Sequence, residues 1–155
     1  MKIKQSLAIL LCSVFAVTAC SGPSKVELDK QSNILGRVTM ATYNFENMSV
    51  KHRAYEMESL LCMPLDKVSK KQIAKQYLPR LMRILRIESD DLVKYYTILF
   101  IGNLGKDAKP AVPLLKQMAK SLPGSPAANK PYKMAIKIAL TKIEGNKKSK
   151  PKKRR

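Results

Sequence analysis

Between Leu92 and Leu104 nearly every position is apolar: Leu92, Val93, Tyr95, Tyr96, Ile98, Leu99, Phe100 and Ile101 leave no polar side on a helical wheel. A surface helix keeps one face in water, so a helix apolar all round must be packed on both sides. The segment is too short to be a membrane span, which takes ~20 residues. It therefore belongs in the middle of a stack of helices.

The flanking residues suit such a helix. Ser89-Asp90-Asp91 supplies capping side chains and negative charge at its start. Gly105 is a C-terminal stop. Asp107 can begin the next helix, with Pro110 tolerated in a first turn whose N–H groups lack partners anyway. Upstream, Asn33 is placed to cap a helix carrying Ile34, Leu35, Val38, Met40 and Ala41. A second helix fits Val50 to Cys62, with Val50, Ala54, Met57 and Leu61 three and four apart, ended by Pro64. A third runs from about Lys70 to Ile87 on Ile73, Tyr77, Leu78, Leu81, Ile84 and Leu85. Leu122 to Pro126 reads as a loop, and a last helix takes Pro131 or Tyr132 to Ile143, with Gly145 beyond. No segment alternates convincingly as a strand does, so the fold class is all-α.

Pairs of these helices recur. Leu78-Pro79-x-Leu81 returns as Val112-Pro113-x-Leu115, thirty-four positions later. Val93-Lys94, leading to Ile101-Gly102-Asn103-Leu104-Gly105, returns as Tyr132-Lys133 leading to Leu140-Thr141-Lys142-Ile143. A weaker copy starts at Val50-Lys51. Asp90-Asp91, Val93-Lys94, Gly102 to Gly105 and Ala108-Lys109-Pro110-Ala111-Val112-Pro113-Leu114-Leu115 resemble the HEAT repeat in its bacterial, phycobilisome-lyase-like form. The likeness is good over roughly residues 73–145 and loose over 33–63. Tyr95 and Tyr96 stand where small residues are usual, Lys94 and Lys133 where Arg is usual, and the first repeat lacks its Gly ending. The resemblance implies a short right-handed α-solenoid of about three helix pairs, each completing its neighbour's core. It implies a binding surface and no enzymatic activity.

The first twenty residues have another character. Lys2 and Lys4 precede an apolar run from Leu7 to Val17, again too short to span a bilayer, and small residues follow. This is an export signal. Val17-Thr18-Ala19-Cys20 resembles the lipobox of bacterial lipoproteins. The resemblance implies cleavage after residue 19 and a diacylglycerol thioether on Cys20, with acyl chains such as palmitate as the membrane anchor. Ser21 then implies the outer membrane, facing the periplasm. The alternative is an ordinary secretory signal in which the Cys is incidental. Residues 20–32 read as the lipidated Cys and a flexible tether, reaching roughly 20 Å as a coil. Residues 33–145 are the helical-repeat domain, and 146–155 a basic tail that its composition marks as disordered.

Charge narrows the partners. The formal net charge is +19. It falls to +17 without Lys2 and Lys4, and the last ten residues hold seven Lys or Arg and no acid. Such a surface attracts anions. The candidate anion-binding residues are Lys109, Lys116 and Lys120 on one side of their helix, Lys133 and Lys137 on one side of the last, and the tail's Lys147, Lys148, Lys150, Lys152, Lys153, Arg154 and Arg155. The alternative is a solvated face. Beside a membrane, anionic lipid headgroups are nearer than nucleic acid, and a tail without aromatic residues offers no base-stacking platform.

Catalytic and metal chemistry find little in the chain. His52, the only histidine, stands four residues before Glu56, a spacing that makes a surface pair rather than an acid–base site. Glu56 and Glu58 fall on different helix faces. There is no zinc spacing, Gly-rich phosphate loop or Gly-x-Ser-x-Gly elbow, and no cofactor is expected. Cys62, the one cysteine left for the domain, reads as a small buried residue, against a reactive or intermolecularly paired thiol. The expectation is a non-enzymatic, membrane-anchored scaffold lipoprotein with a protein partner. The rivals are an electrostatic binder of anionic lipid or nucleic acid, and an inhibitor or immunity-type protein.

Overall fold

The computed structural model describes residues 25–121 and 130–145. Six α-helices account for most of them: α1 (Lys25–Tyr43), α2 (Val50–Leu61), α3 (Lys67–Ile87), α4 (Asp91–Asn103), α5 (Val112–Lys120) and α6 (Lys130–Glu144). Short 3-10 helices, Phe45–Asn47 and Gly105–Ala111, join α1 to α2 and α4 to α5. The described residues contain no strand, and the fold is all-α. No described helix is long and apolar enough to cross a membrane. The chain divides into two units, residues 1–32 and 33–155. In the first, the described residues are the opening of α1.

Polar side chains start the helices. Ser49 Oγ accepts from the His52 amide at 3.3 Å ahead of α2, and Asp66 Oδ1 accepts from Ser69 N at 2.7 Å ahead of α3. Asp90 Oδ1 accepts from both Leu92 N and Val93 N at 3.0 Å ahead of α4. Each such cap is worth about 1 kcal/mol.

The order of packing is simple. α4 lies between α2 and α6 and also packs on α3, while the Gly105–Ala111 segment packs on α3 and α6, and α5 on α6. α4 thus lies against the helices two before and two after it in the chain. Two pairs of residues thirty-four apart are buried in common, Ala74 with Ala108 and Leu81 with Leu115, although Ala74 lies in α3 and Ala108 in the 3-10 segment. At the centre, Ile98, Phe100 and Ile101 of α4 are each 0% exposed, and burying a side chain of this size stabilises by about 1.5–3 kcal/mol. At the other end α1 is tied to α3: Thr39 Oγ1 and the Tyr77 hydroxyl lie 2.5 Å apart, and the Arg80 guanidinium sits over the Tyr43 ring at 4.6 Å.

Two glycines make the α4–α6 contact and its exit. A Cβ on Gly102 would lie 2.7 Å from Ala139 Cα, so the two helix backbones approach where only hydrogen fits. Three residues on, Gly105 has φ +64°, a left-handed value that glycine adopts without penalty.

Several expectations need correction. Residues 25–32, expected as tether, are helical, and Asn33 lies inside α1 rather than at its start. That stretch has no Gly or Pro and is rich in straight-chain residues, which form helix without an apolar face. The buried register of Ile34, Val38, Ala41 and Phe45 turns Met40 to solvent. In α2 the buried line is Ala54, Met57 and Leu60, so Val50 is exposed, Leu61 half-buried, and Cys62 past the helix end is an exposed free thiol. Leu92, in the first turn of α4, is also exposed. Asp107 and Pro110 lie in the 3-10 segment, and α5 begins only at Val112. Starting there puts Pro113 in the first turn, where its missing N–H costs nothing. Pro79 has no such shelter. It lies inside α3 and offers no N–H to the Lys75 carbonyl.

Candidate functional site: a lysine-rimmed groove

Helices α5 and α6 pack against each other, and a shallow groove lies along α6 beside Ala119 of α5. Ala119 from α5 and Ile136 and Leu140 from α6 form an apolar floor, with Lys133, Lys137, Thr141, Glu144 and Gly145 around it. The space is about 340 Å³. The stripe exists because Lys133, Ile136, Lys137, Leu140, Thr141 and Glu144 repeat at three and four residues, along one side of α6. The neighbouring stripe, Tyr132, Ala135, Ile136, Ala139 and Ile143, is buried.

The five lysines expected on the body separate here. Lys133 and Lys137, one turn apart and exposed, line the groove. Lys116 stands at its far end, where Nζ lies 2.7 Å from Glu144 Oε1. Both partners reach water, so the pair is worth well under ~1 kcal/mol. Lys120 ends α5 beside Ala119 and is exposed. Lys109 sits in the 3-10 segment and does not line the groove, which corrects its placement on one helix side with Lys116 and Lys120. Cys20 and the tail residues Lys147, Lys148, Lys150, Lys152, Lys153, Arg154 and Arg155 lie outside the described residues.

A second polar cavity, about 350 Å³, opens between α3, α4, α5 and α6. Leu85, Leu114 and Met118 line it together with Arg86, Lys94 and the buried Tyr132. Burial pushes the Tyr132 hydroxyl well above the usual tyrosine pKa, and the Asp91 charge adds to the shift. On α4, burial and then the Glu58 carboxylate, which accepts the hydroxyl's hydrogen bond, raise Tyr96 in the same direction. Both are neutral hydrogen-bond donors near neutral pH.

One ionic network was not foreseen in the sequence. Arg53 Nε lies 2.8 Å from Glu88 Oε2, Nη2 donates to Oε1 at 3.2 Å, and Nη1 donates to the Met48 carbonyl at 2.7 Å. Glu88 Oε1 also accepts from the amides of Ser89 and Asp90, at 2.8 and 2.9 Å. The carboxylate is 2% exposed, and the guanidinium covers the Phe45 ring at 5.4 Å. With the two charges matched, this is a clip between α2 and the α3–α4 turn. The available signal was Arg53 falling in register with Met57 and Leu60, an arginine on a buried line.

His52 Nε2 lies 3.4 Å from Glu56 Oε1, the surface pair its spacing suggests. Among the described residues no group of three or more His, Cys, Asp or Glu is placed to hold a metal ion. The lysine-rimmed groove is the candidate site that brings two of the expected lysines, Lys133 and Lys137, beside an apolar floor. No family model, curated protein or solved structure matches this chain.

Proposed function

We propose that this chain is a lipid-anchored, non-enzymatic scaffold lipoprotein of the bacterial envelope, held at the periplasmic side of the outer membrane through Cys20 and binding a protein partner with a HEAT-like helical stack. One observation supports the binding part: α4 packs on both α2 and α6, the helices two before and two after it, and the pairs Ala74/Ala108 and Leu81/Leu115, thirty-four apart, are buried. Repeated helix pairs that share their cores pack in this order and leave an extended surface free for partners. The anchor part is supported by the Val17–Cys20 motif alone. Fractionation with acyl labelling tests it. Wild-type protein takes up labelled fatty acid and sediments with membranes, whereas Cys20→Ser is unlabelled and soluble; a mutant that stays labelled and membrane-bound rejects the anchor.

The charge favours a second reading, in which the seven cations between residues 146 and 155 bind anionic lipid or nucleic acid and the helices are a spacer. At an anionic surface each Lys or Arg adds about 1 kcal/mol at most, within a Debye length. Non-lipidated protein, residues 21–155, then binds anionic vesicles at low salt and detaches near physiological salt. Truncation after Gly145 removes that binding without lowering helicity. Equal binding by both forms rules the tail out as its source.

A further inference from the structure

We infer that the α5–α6 groove is the docking site for an acidic amphipathic helix of a partner protein, its apolar side chains on Ala119, Ile136 and Leu140 and its carboxylates on Lys133 and Lys137. The inference rests on the scaffold reading and gives it a place and a partner chemistry.

Three observations lead there. The first is coverage. α4 packs on α2, α3 and α6, whereas α6 packs on α4, α5 and the Gly105–Ala111 segment and, among the described residues, keeps a groove beside α5. Next to the groove, Met134 and Ile138 are 54% and 37% exposed, so the apolar character of α6 continues into solvent. A helix is the body that fits a trough between two helices, because its ridges of side chains fill such grooves.

The second is charge. Among the described residues neither Lys133 nor Lys137 has a carboxylate partner, although the groove's own acid, Glu144, is bridged to Lys116. Two ammonium groups one turn apart match carboxylates at the same spacing on an incoming helix.

The third excludes other occupants. A second copy would bring lysines against lysines. The sequence of residues 146–155, with seven cations and no acid, offers no carboxylate to match Lys133 and Lys137. A lipid headgroup layer is flat and reaches the rim lysines but not the recessed floor. What remains is a separate chain, acidic on its flanks and apolar along one face.

The test uses the full chain and a synthetic helical peptide with Leu at every third and fourth position and Glu between. Its matched controls are the same peptide with Lys for Glu, and vesicles of phosphatidylcholine with phosphatidylglycerol. NMR chemical-shift changes on adding the acidic peptide are expected at Ala119, Ile136 and Leu140, with none from the basic peptide. Lys133→Ala/Lys137→Ala weakens binding by about 10-fold, as for paired interface charges. Raising salt from about 50 to about 300 mM also weakens it, because these lysines are exposed to screening. Leu140→Gln weakens it without changing charge. Helicity, measured in parallel, stays constant, since both lysines are exposed. Shifts confined to residues 146–155, shifts produced only by vesicles, or no shift at all would overturn the inference. Any of those results removes the groove as the site and leaves the anchored-scaffold reading to its own labelling test.

Discussion

Helices α4 and α6 carry similar loads of apolar side chains, yet they stand in different surroundings. α4 has one lysine and buries Val93, Ile98, Phe100 and Ile101 against neighbours on several sides. α6 has four lysines and buries only one stripe, from Tyr132 to Ile143, leaving Met134 and Ile138 in solvent. The two meet face to face at Gly102 and Ala139. The difference teaches that in a helical stack the lysine content of a helix reports how many of its sides are covered. Apolar content alone does not separate the middle of the stack from a face that still has room for a partner.

The comparison is sharpened most by removing the centre of α4. Phe100→Ala deletes a ring with no solvent exposure and is expected to cost about 3–5 kcal/mol in chemical denaturation. Gly102→Ala probes the shared contact. Its new Cβ meets Ala139 backbone at 2.7 Å, where no flexible side chain can give way, so α6 must shift at a cost of about 1–3 kcal/mol.

A pH titration reads α6 through Tyr132, while Tyr96 on α4 shifts in the same direction. Tyr132 on α6 has a folded-state pKa raised above its unfolded value of ~10. The unfolded chain therefore loses this proton first, so its contribution is full below about pH 10 and declines above it. Tyr132→Phe should flatten that alkaline decline in melting temperature. The smallest effect belongs to the outer side of α6: Ile138→Ser is expected to change stability by no more than about 0.5 kcal/mol. If it costs as much as Phe100→Ala, α6 is as enclosed as α4, and the contrast between them is lost.

Much of the helical layout was legible because it depends on local signals. Asp90 caps α4 where the acidic turn suggested, the six residues expected on the α3 face are buried or half-buried, and Gly105 takes the left-handed value of a helix stop. What was not legible depends on contacts between distant residues or on a one-residue choice of register. Arg53 and Glu88 are thirty-five positions apart, and nothing in either neighbourhood announces the other. Cys62 looked buried because it follows two leucines, but the register through Leu60 carries it past the helix end. The lysines were visible individually, whereas their sorting into groove, bridge and isolated positions depends on how α5 lies on α6. Pro113 shows a local rule displaced by another: the later proline, not Asp107, decides where α5 starts.

The Arg53–Glu88 clip has a consequence for hydrogen exchange. The amides of Ser89 and Asp90 belong to no helix, and Ser89 is exposed, so loop behaviour would have them exchange quickly. Both donate to Glu88 Oε1, and Arg53 of α2 holds that same oxygen. Their protection then depends on a helix more than thirty residues upstream, and loosening α2 exposes them without unwinding α4. These two protons should share the opening free energy of the α2 core rather than that of the turn in which they sit, making a surface turn an internal reporter of whether the first half of the domain is closed.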